Sequence, residues 1–150
     1  MTMRITHLGT GSRGNSTLLE VGDVRVLLDQ GFSGAQLEKR LNRMKLKPED
    51  VDCILVSHHH GDHGGGVAIA QRKWKIPVLA NERTAMELNL DPMLTNYFGS
   101  LDLVRVGDDL SILTVPVPHS GSDNVAFVAN YRGERAAIIT DLGSWTDELV

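Results

Sequence analysis

In the first third of the chain, apolar residues alternate with polar ones or run in blocks of strand length. Residues 3–8 read as a strand, and residues 16–21 and 24–28 as two more around a Gly22-Asp23 turn, a hairpin signal. The period then changes. Leu37, Leu41 and Met44 recur on one helical face, with Ser33 and Gln36 before them at capping-box spacing and Pro48 beyond the end. Residues 51–56 form an apolar run suited to a strand covered on both faces. After a histidine-rich stretch and three glycines, residues 67–74 predict a helix, 77–80 a short strand and 81–90 a helix capped by Asn81. Residues 91–100 give no signal. Residues 101–106, 110–115, 124–131 and 135–140 predict strands, and Ser144 opens a final helix. The two ends are antiparallel in character and the middle alternates strand and helix. That pattern predicts one α+β layered domain over 1–150, a mixed sheet with helices outside.

Composition sharpens this only slightly. The 150 residues are 41% hydrophobic and 23% charged, which is ordinary globular usage and excludes disorder by composition. The net charge of −4 disfavours broad nucleic-acid binding but leaves room for a local basic groove, with Arg13, Arg72, Lys73 and Lys75 as candidates against the plainer reading of a solvated helix end. No apolar run approaches membrane-helix length. The N-terminus lacks a signal peptide's apolar stretch, and a single cysteine, Cys53, forms no internal disulfide, so a cytoplasmic protein is expected.

Two motifs invite a chemical reading. Gly9-Thr-Gly11-Ser-Arg-Gly14 follows a strand and spells the dinucleotide fingerprint, but that motif needs a helix whose N-terminus faces the pyrophosphate. Only seven residues separate Gly14 from the Gly22-Asp23 turn, and they read as a strand. The loop is therefore read as glycine-rich backbone passing close to substrate or to a metal site. The second motif is stronger. Four of the six histidines are packed into residues 58–63, where His58, His60, Asp62 and His63 spell H-x-H-x-D-H after a buried strand. Imidazole and carboxylate suit zinc and similar ions. The pair His58/His60 suits one ion and Asp62/His63 another, while His59 alternates away and is expected to be no ligand. His119 and Asp141 each follow a predicted strand, where ligands converge in layered α/β folds, and are candidates to complete the site.

These residues resemble the metallo-β-lactamase superfamily of metallohydrolases. Asp29, ending Val-Leu-Leu-Asp, resembles its first-motif aspartate, which anchors the histidine loop. The resemblance implies an αββα sandwich, of which this chain is the N-terminal portion. It also implies two divalent metal ions, zinc by expectation with iron or manganese as alternatives. His58, His60 and His119 would hold the first ion, and Asp62, His63 and a bridging Asp141 the second, with Asp62 also orienting the attacking hydroxide as the catalytic residue. Within the superfamily the chain looks most like the YycJ/WalJ-like branch, through Leu8-Gly-Thr-Gly-Ser-Arg-Gly-Asn-Ser-Thr, Leu27-Leu-Asp-Gln-Gly, Ile76-Pro-Val-Leu-Ala-Asn-Glu and Thr140-Asp-Leu-Gly. It departs in having Ser57 where threonine is usual, Ser120 after His119, and no later histidine for the second ion. The C-terminal part of the domain is thus expected to be missing, and the first ion to be bound better than the second.

Three functions stay open. One is a phosphodiesterase or nuclease-like hydrolase acting on nucleic acid. Another is a hydrolase of a small ester, thioester or lactone. The third is a non-catalytic metal-binding fragment. An open sheet edge also predicts self-association, with a homodimer as the simplest form.

Overall fold

The computed structural model describes residues 3–9, 14–57, 64–99, 101–116 and 125–138. Their strands form two sheets. The first has six strands in the order β1-β2-β3-β4-β5-β6: Met3–Gly9, Ser16–Val21, Val24–Leu28, Cys53–Leu55, Val78–Ala80 and Thr95–Tyr97. Strands β1 to β3 are an antiparallel meander, and β3 to β6 run parallel. The second sheet is antiparallel in the order β10-β9-β8-β7: Glu134–Ile138, Val125–Tyr131, Leu110–Pro116 and Leu103–Val106. Three α-helices are described, α1 (Gly34–Asn42), α2 (Val67–Trp74) and α3 (Glu82–Glu87).

Alternation along the strands builds two apolar layers. Leu18, Leu27, Ile54 and Val78 face one side, against Leu37 and Leu41 of α1 and Val67 and Ala70 of α2. Leu19, Val26, Leu28 and Leu55 face the other, against Ile112, Phe127 and Ala129 of the second sheet. Register keeps each set together: Leu27 pairs with Ile54, and Ile54 with Val78. Helix, sheet and sheet are thus stacked in three layers, and β3 to β5 are of the buried parallel type whose apolar runs the sequence displayed. Phe98 and Phe127 close the inter-sheet layer edge to face, centroids 6.3 Å apart.

Several boundaries differ from the sequence reading. The strand read as 51–56 is regular only over Cys53–Leu55, after a short 3-10 turn at Pro48–Asp50. The helix expected over 81–90 keeps its Asn81 cap, whose side chain accepts from the Thr84 amide, but stops at Glu87 because Asn89 turns left-handed, at φ +54°. Met44 lies beyond the end of α1. Strand β6 was not foreseen. Residues 16–21 are a strand, as the rejection of a nucleotide fold required. The final helix from Ser144 falls outside the described residues. No helix among those described is long and apolar enough to cross a membrane.

Candidate metal centre

Strand direction brings the ends of the strands that precede the candidate loops to one edge. Strands β1, β3, β4, β5 and β6 all run the same way in the first sheet. In the second sheet β8 and β10 are both antiparallel to β9 and so run alike. Two contacts set one sheet against the other. The Met3 amide donates to the Glu134 carboxylate at 3.2 Å, so β1 and β10 start side by side. A Cβ on Gly107, just before β8, would lie 2.9 Å from Val24 at the start of β3. The C-terminal ends of β3, β4, β8 and β10 therefore share an edge. Leu28, Leu55, Pro116 and Ile138 close those strands, and Asp29, the 58–63 motif, His119 and Asp141 follow them in sequence.

Asp29 and Ser57 are described in full. Asp29 is completely buried and sits at φ +66°, a left-handed geometry that aspartate tolerates better than most residues. Its surroundings fix it there. Its amide donates to the Leu55 carbonyl at 2.8 Å, and its own carbonyl accepts from the Ser16 hydroxyl at 2.8 Å. Its carboxylate accepts from both the amide and the hydroxyl of Ser57, each at 2.6 Å. A buried carboxylate is tolerated only when so bonded. The tie crosses from the end of β3 to the end of β4, one residue before the H-x-H-x-D-H motif begins. The serine found where threonine is usual keeps the hydroxyl that makes this bond.

His58, His60, Asp62, His63, His119 and Asp141, together with His59 and Arg13, lie outside the described residues. Among the described residues no three histidine, cysteine or acidic side chains stand together as a metal site. The basic candidates at the end of α2 are accounted for. Helix α2 runs back from the site edge, so its last turn lies at the far edge. There Arg72 donates to the Asn89 carbonyl at 2.7 Å, and the Lys73 ammonium stands 4.9 Å from the Trp74 ring centroid. Lys75 closes the helix left-handed, at φ +57°. The solvated helix end is the reading that fits. Cys53 is buried between the sheets, which together with the nearby Asp52 charge pushes its thiol up to about 12. It is a core residue, and no nucleophile.

The sequence pattern of the Metallo-beta-lactamase superfamily matches residues 9–144. The chain belongs to that superfamily. Over 99% of its length it is 30% identical to an exodeoxyribonuclease YycJ of Bacillus anthracis, covering 58% of that protein. Over 63% of its length it is 40% identical to an exodeoxyribonuclease WalJ of Streptococcus pneumoniae, covering 34% of that one. The chain thus spans little more than half of the longer match. Among solved structures, MEM-A1, a subclass B3 metallo-β-lactamase from a soil metagenome library, superposes with a TM-score of 0.69 at 25% identity, over 89% of this chain and 58% of that one. Superfamily membership accounts for the three layers described here, helices, first sheet and second sheet.

Sequence reasoning missed one part of this edge. Gln30, Phe32, Arg40 and Gly66 surround the Asp29 turn; the sequence marked only Gln30, within Leu27-Leu-Asp-Gln-Gly, and Gly66, within the glycine run 64–66, and gave neither a role. Their contacts join residues far apart in the chain, which no local pattern announces.

Proposed function

We propose that this chain carries the metal-binding residues of a hydrolase that cleaves phosphodiester bonds in nucleic acid. The observation behind the metal reading is the Asp29–Ser57 tie, which fixes the residue from which the H-x-H-x-D-H motif departs, at the edge where the strands before His119 and Asp141 also end. The donor set fits a divalent ion of zinc type, since neutral imidazole and carboxylate are its ordinary ligands. His58, His60 and His119 would hold one ion, and Asp62, His63 and Asp141 a second. When bound, such ions supply a water activated near neutral pH and offset charge developing on the scissile group. Asp62 would orient that water and take its proton. Asp29 would act through Ser57, holding the motif in register.

The substrate class rests on the two exodeoxyribonuclease relatives, which together make DNA the first substrate to test. A setting that keeps thiols reduced, as in the cytoplasm, suits a chain with one cysteine. Self-association belongs to the same proposal, since the outer strands β6 and β7 leave Tyr97 and Leu103 more than half exposed.

The test is turnover by the metal-loaded full chain of end-labelled single-stranded DNA, bis(p-nitrophenyl) phosphate, a thioester and a lactone, with sedimentation to read its assembly state. Phosphodiester cleavage that chelator abolishes supports the proposal. Cleavage of the thioester or lactone alone moves the chain to the second reading. Metal binding without turnover of any of them identifies a non-catalytic module.

A further inference from the structure

The turn that begins at Asp29 holds the histidine segment from two directions. On the near side, Asp29 takes the amide and hydroxyl of Ser57. On the far side, the Gly66 amide donates to the Gln30 carbonyl at 3.0 Å. Gln30 is completely buried. Its side chain folds back on the turn: Nε2 donates to the Phe32 carbonyl at 2.7 Å, and Oε1 accepts from the Phe32 amide at 3.1 Å. Gly66 comes so close that a Cβ there would fall 1.9 Å from the Phe32 carbonyl oxygen and 2.5 Å from Gln30 Nε2. The first is backbone and the second already bonded, so neither gives way freely.

Phe32 is itself wedged in place. Its ring fills the space beside Gly9 and Gly14, where added Cβ atoms would fall 2.4 Å and 2.6 Å from ring carbons. The Arg40 guanidinium lies 4.1 Å from the ring centroid and donates through Nη1 to the Leu8 carbonyl. The turn is thus backed by β1 and α1.

We propose that Gln30 and Gly66 are positioning residues for the metal ligands: a second clamp, separate from the Asp29–Ser57 tie, that fixes where the segment after Ser57 rejoins the protein. The inference rests on the metal reading of residues 58–63. The residues on either side of this eight-residue segment (58–65), Ser57 and Gly66, are both tethered to one turn before any ion arrives. Ligands ordered during folding bind more tightly, because the ordering is not charged against binding. Outer support of this kind typically sets metal affinity within about 10- to 100-fold.

The test compares the full wild-type chain with Gln30→Ala and Gly66→Ala, and with Ile112→Val as a control in the inter-sheet core. Three quantities are read: cobalt(II) affinity and visible absorption bands, urea stability of the metal-free chain, and hydrogen exchange of the Gly66 amide. Both turn variants are expected to lose about 10- to 100-fold in cobalt affinity and to shift the bands at saturation. Exchange at Gly66 should quicken in Gln30→Ala. Ile112→Val should lose stability while its affinity stays within about twofold of wild type, as expected for a distant, independent site. If Gly66→Ala does not fold, Gln30→Ala carries the test. Turn variants with wild-type affinity and bands but lowered stability overturn the clamp alone. A wild-type chain that binds no cobalt overturns the metal reading, and this proposal with it.

Discussion

At the edge where β3 and β4 end, the chain buries a cluster of polar side chains around one carboxylate; the hairpin turns of the opposite edge leave theirs in water. The first edge holds Asn15, Ser16, Asp29, Gln30 and Ser57, all buried, with Asp29 in a left-handed conformation locked by its neighbours. The second edge reverses direction through exposed hairpin turns, at Gly22, Gly107 and Gly133, each with a positive φ. Nothing lies within 4 Å of a Cβ placed on Gly133, and the nearby Arg132–Asp109 pair, at 2.9 Å, has side chains 64% and 45% exposed. Turning the chain needs only glycine and water. Burying a carboxylate and an amide side chain costs free energy unless each is hydrogen-bonded, so a fold keeps such an arrangement where a fixed geometry is required. That contrast, together with the motif that follows Ser57, is why the metal centre is proposed at the first edge.

Substitutions should separate the two edges in order of burial. Asp29→Ala removes an acceptor from a buried amide and a buried hydroxyl and should lower stability by about 3–6 kcal/mol, taking about 1.5–3 kcal/mol for each of the two hydrogen bonds to a charged group. Urea unfolding measures it, and a loss below about 1 kcal/mol would erase the contrast. Ser57→Ala keeps the amide bond and loses only the hydroxyl, so about 1–3 kcal/mol is expected from the same curves.

Between the edges, Cys53 gives a pH signature. Burial first, and the Asp52 charge second, raise its pKa from 9.0 to about 12. An unfolded chain therefore loses the thiol proton from about pH 9 upward while the folded one keeps it. The folded state binds the extra proton in that window, so stability falls as pH rises from about 9 toward 12, by up to about 1.4 kcal/mol per pH unit from this group. Below pH 9 it contributes no slope. Cys53→Ala should remove that share of the slope in urea midpoints collected across the window, and identical slopes would contradict the assignment. The smallest effect belongs to the far edge. Arg132→Ala should leave the thermal midpoint unchanged within error, because exposed pairs contribute little, and a drop of several degrees would show that edge to be more than a set of turns.

Much of the scaffold was legible because its signals are local. The hairpin around Gly22-Asp23, the caps at Ser33 and Asn81, and the alternation that sends Leu18 and Leu19 to opposite faces all come from neighbours in the chain. Strand β6 was not legible. Thr95, Asn96 and Tyr97 carry little strand pattern and become a strand only by pairing with Val78, Leu79 and Ala80. Helix α3 was read through Leu90, but the left-handed turn at Asn89 ends it at Glu87. At the site, residue types announced the ligand candidates, and the family resemblance marked Asp29. The Gln30–Gly66 contact joins backbone to backbone across the intervening helix and strand, and only three dimensions reveal it.

The most direct measurement is the metal content of the full chain, purified without chelator and read by inductively coupled plasma mass spectrometry beside the double variant His58→Ala/His60→Ala. The account predicts at least one divalent ion held per wild-type chain, zinc foremost, and its loss in the double variant while the fold persists. A folded wild-type chain without metal at neutral pH, or a double variant that retains the wild-type content, would contradict it.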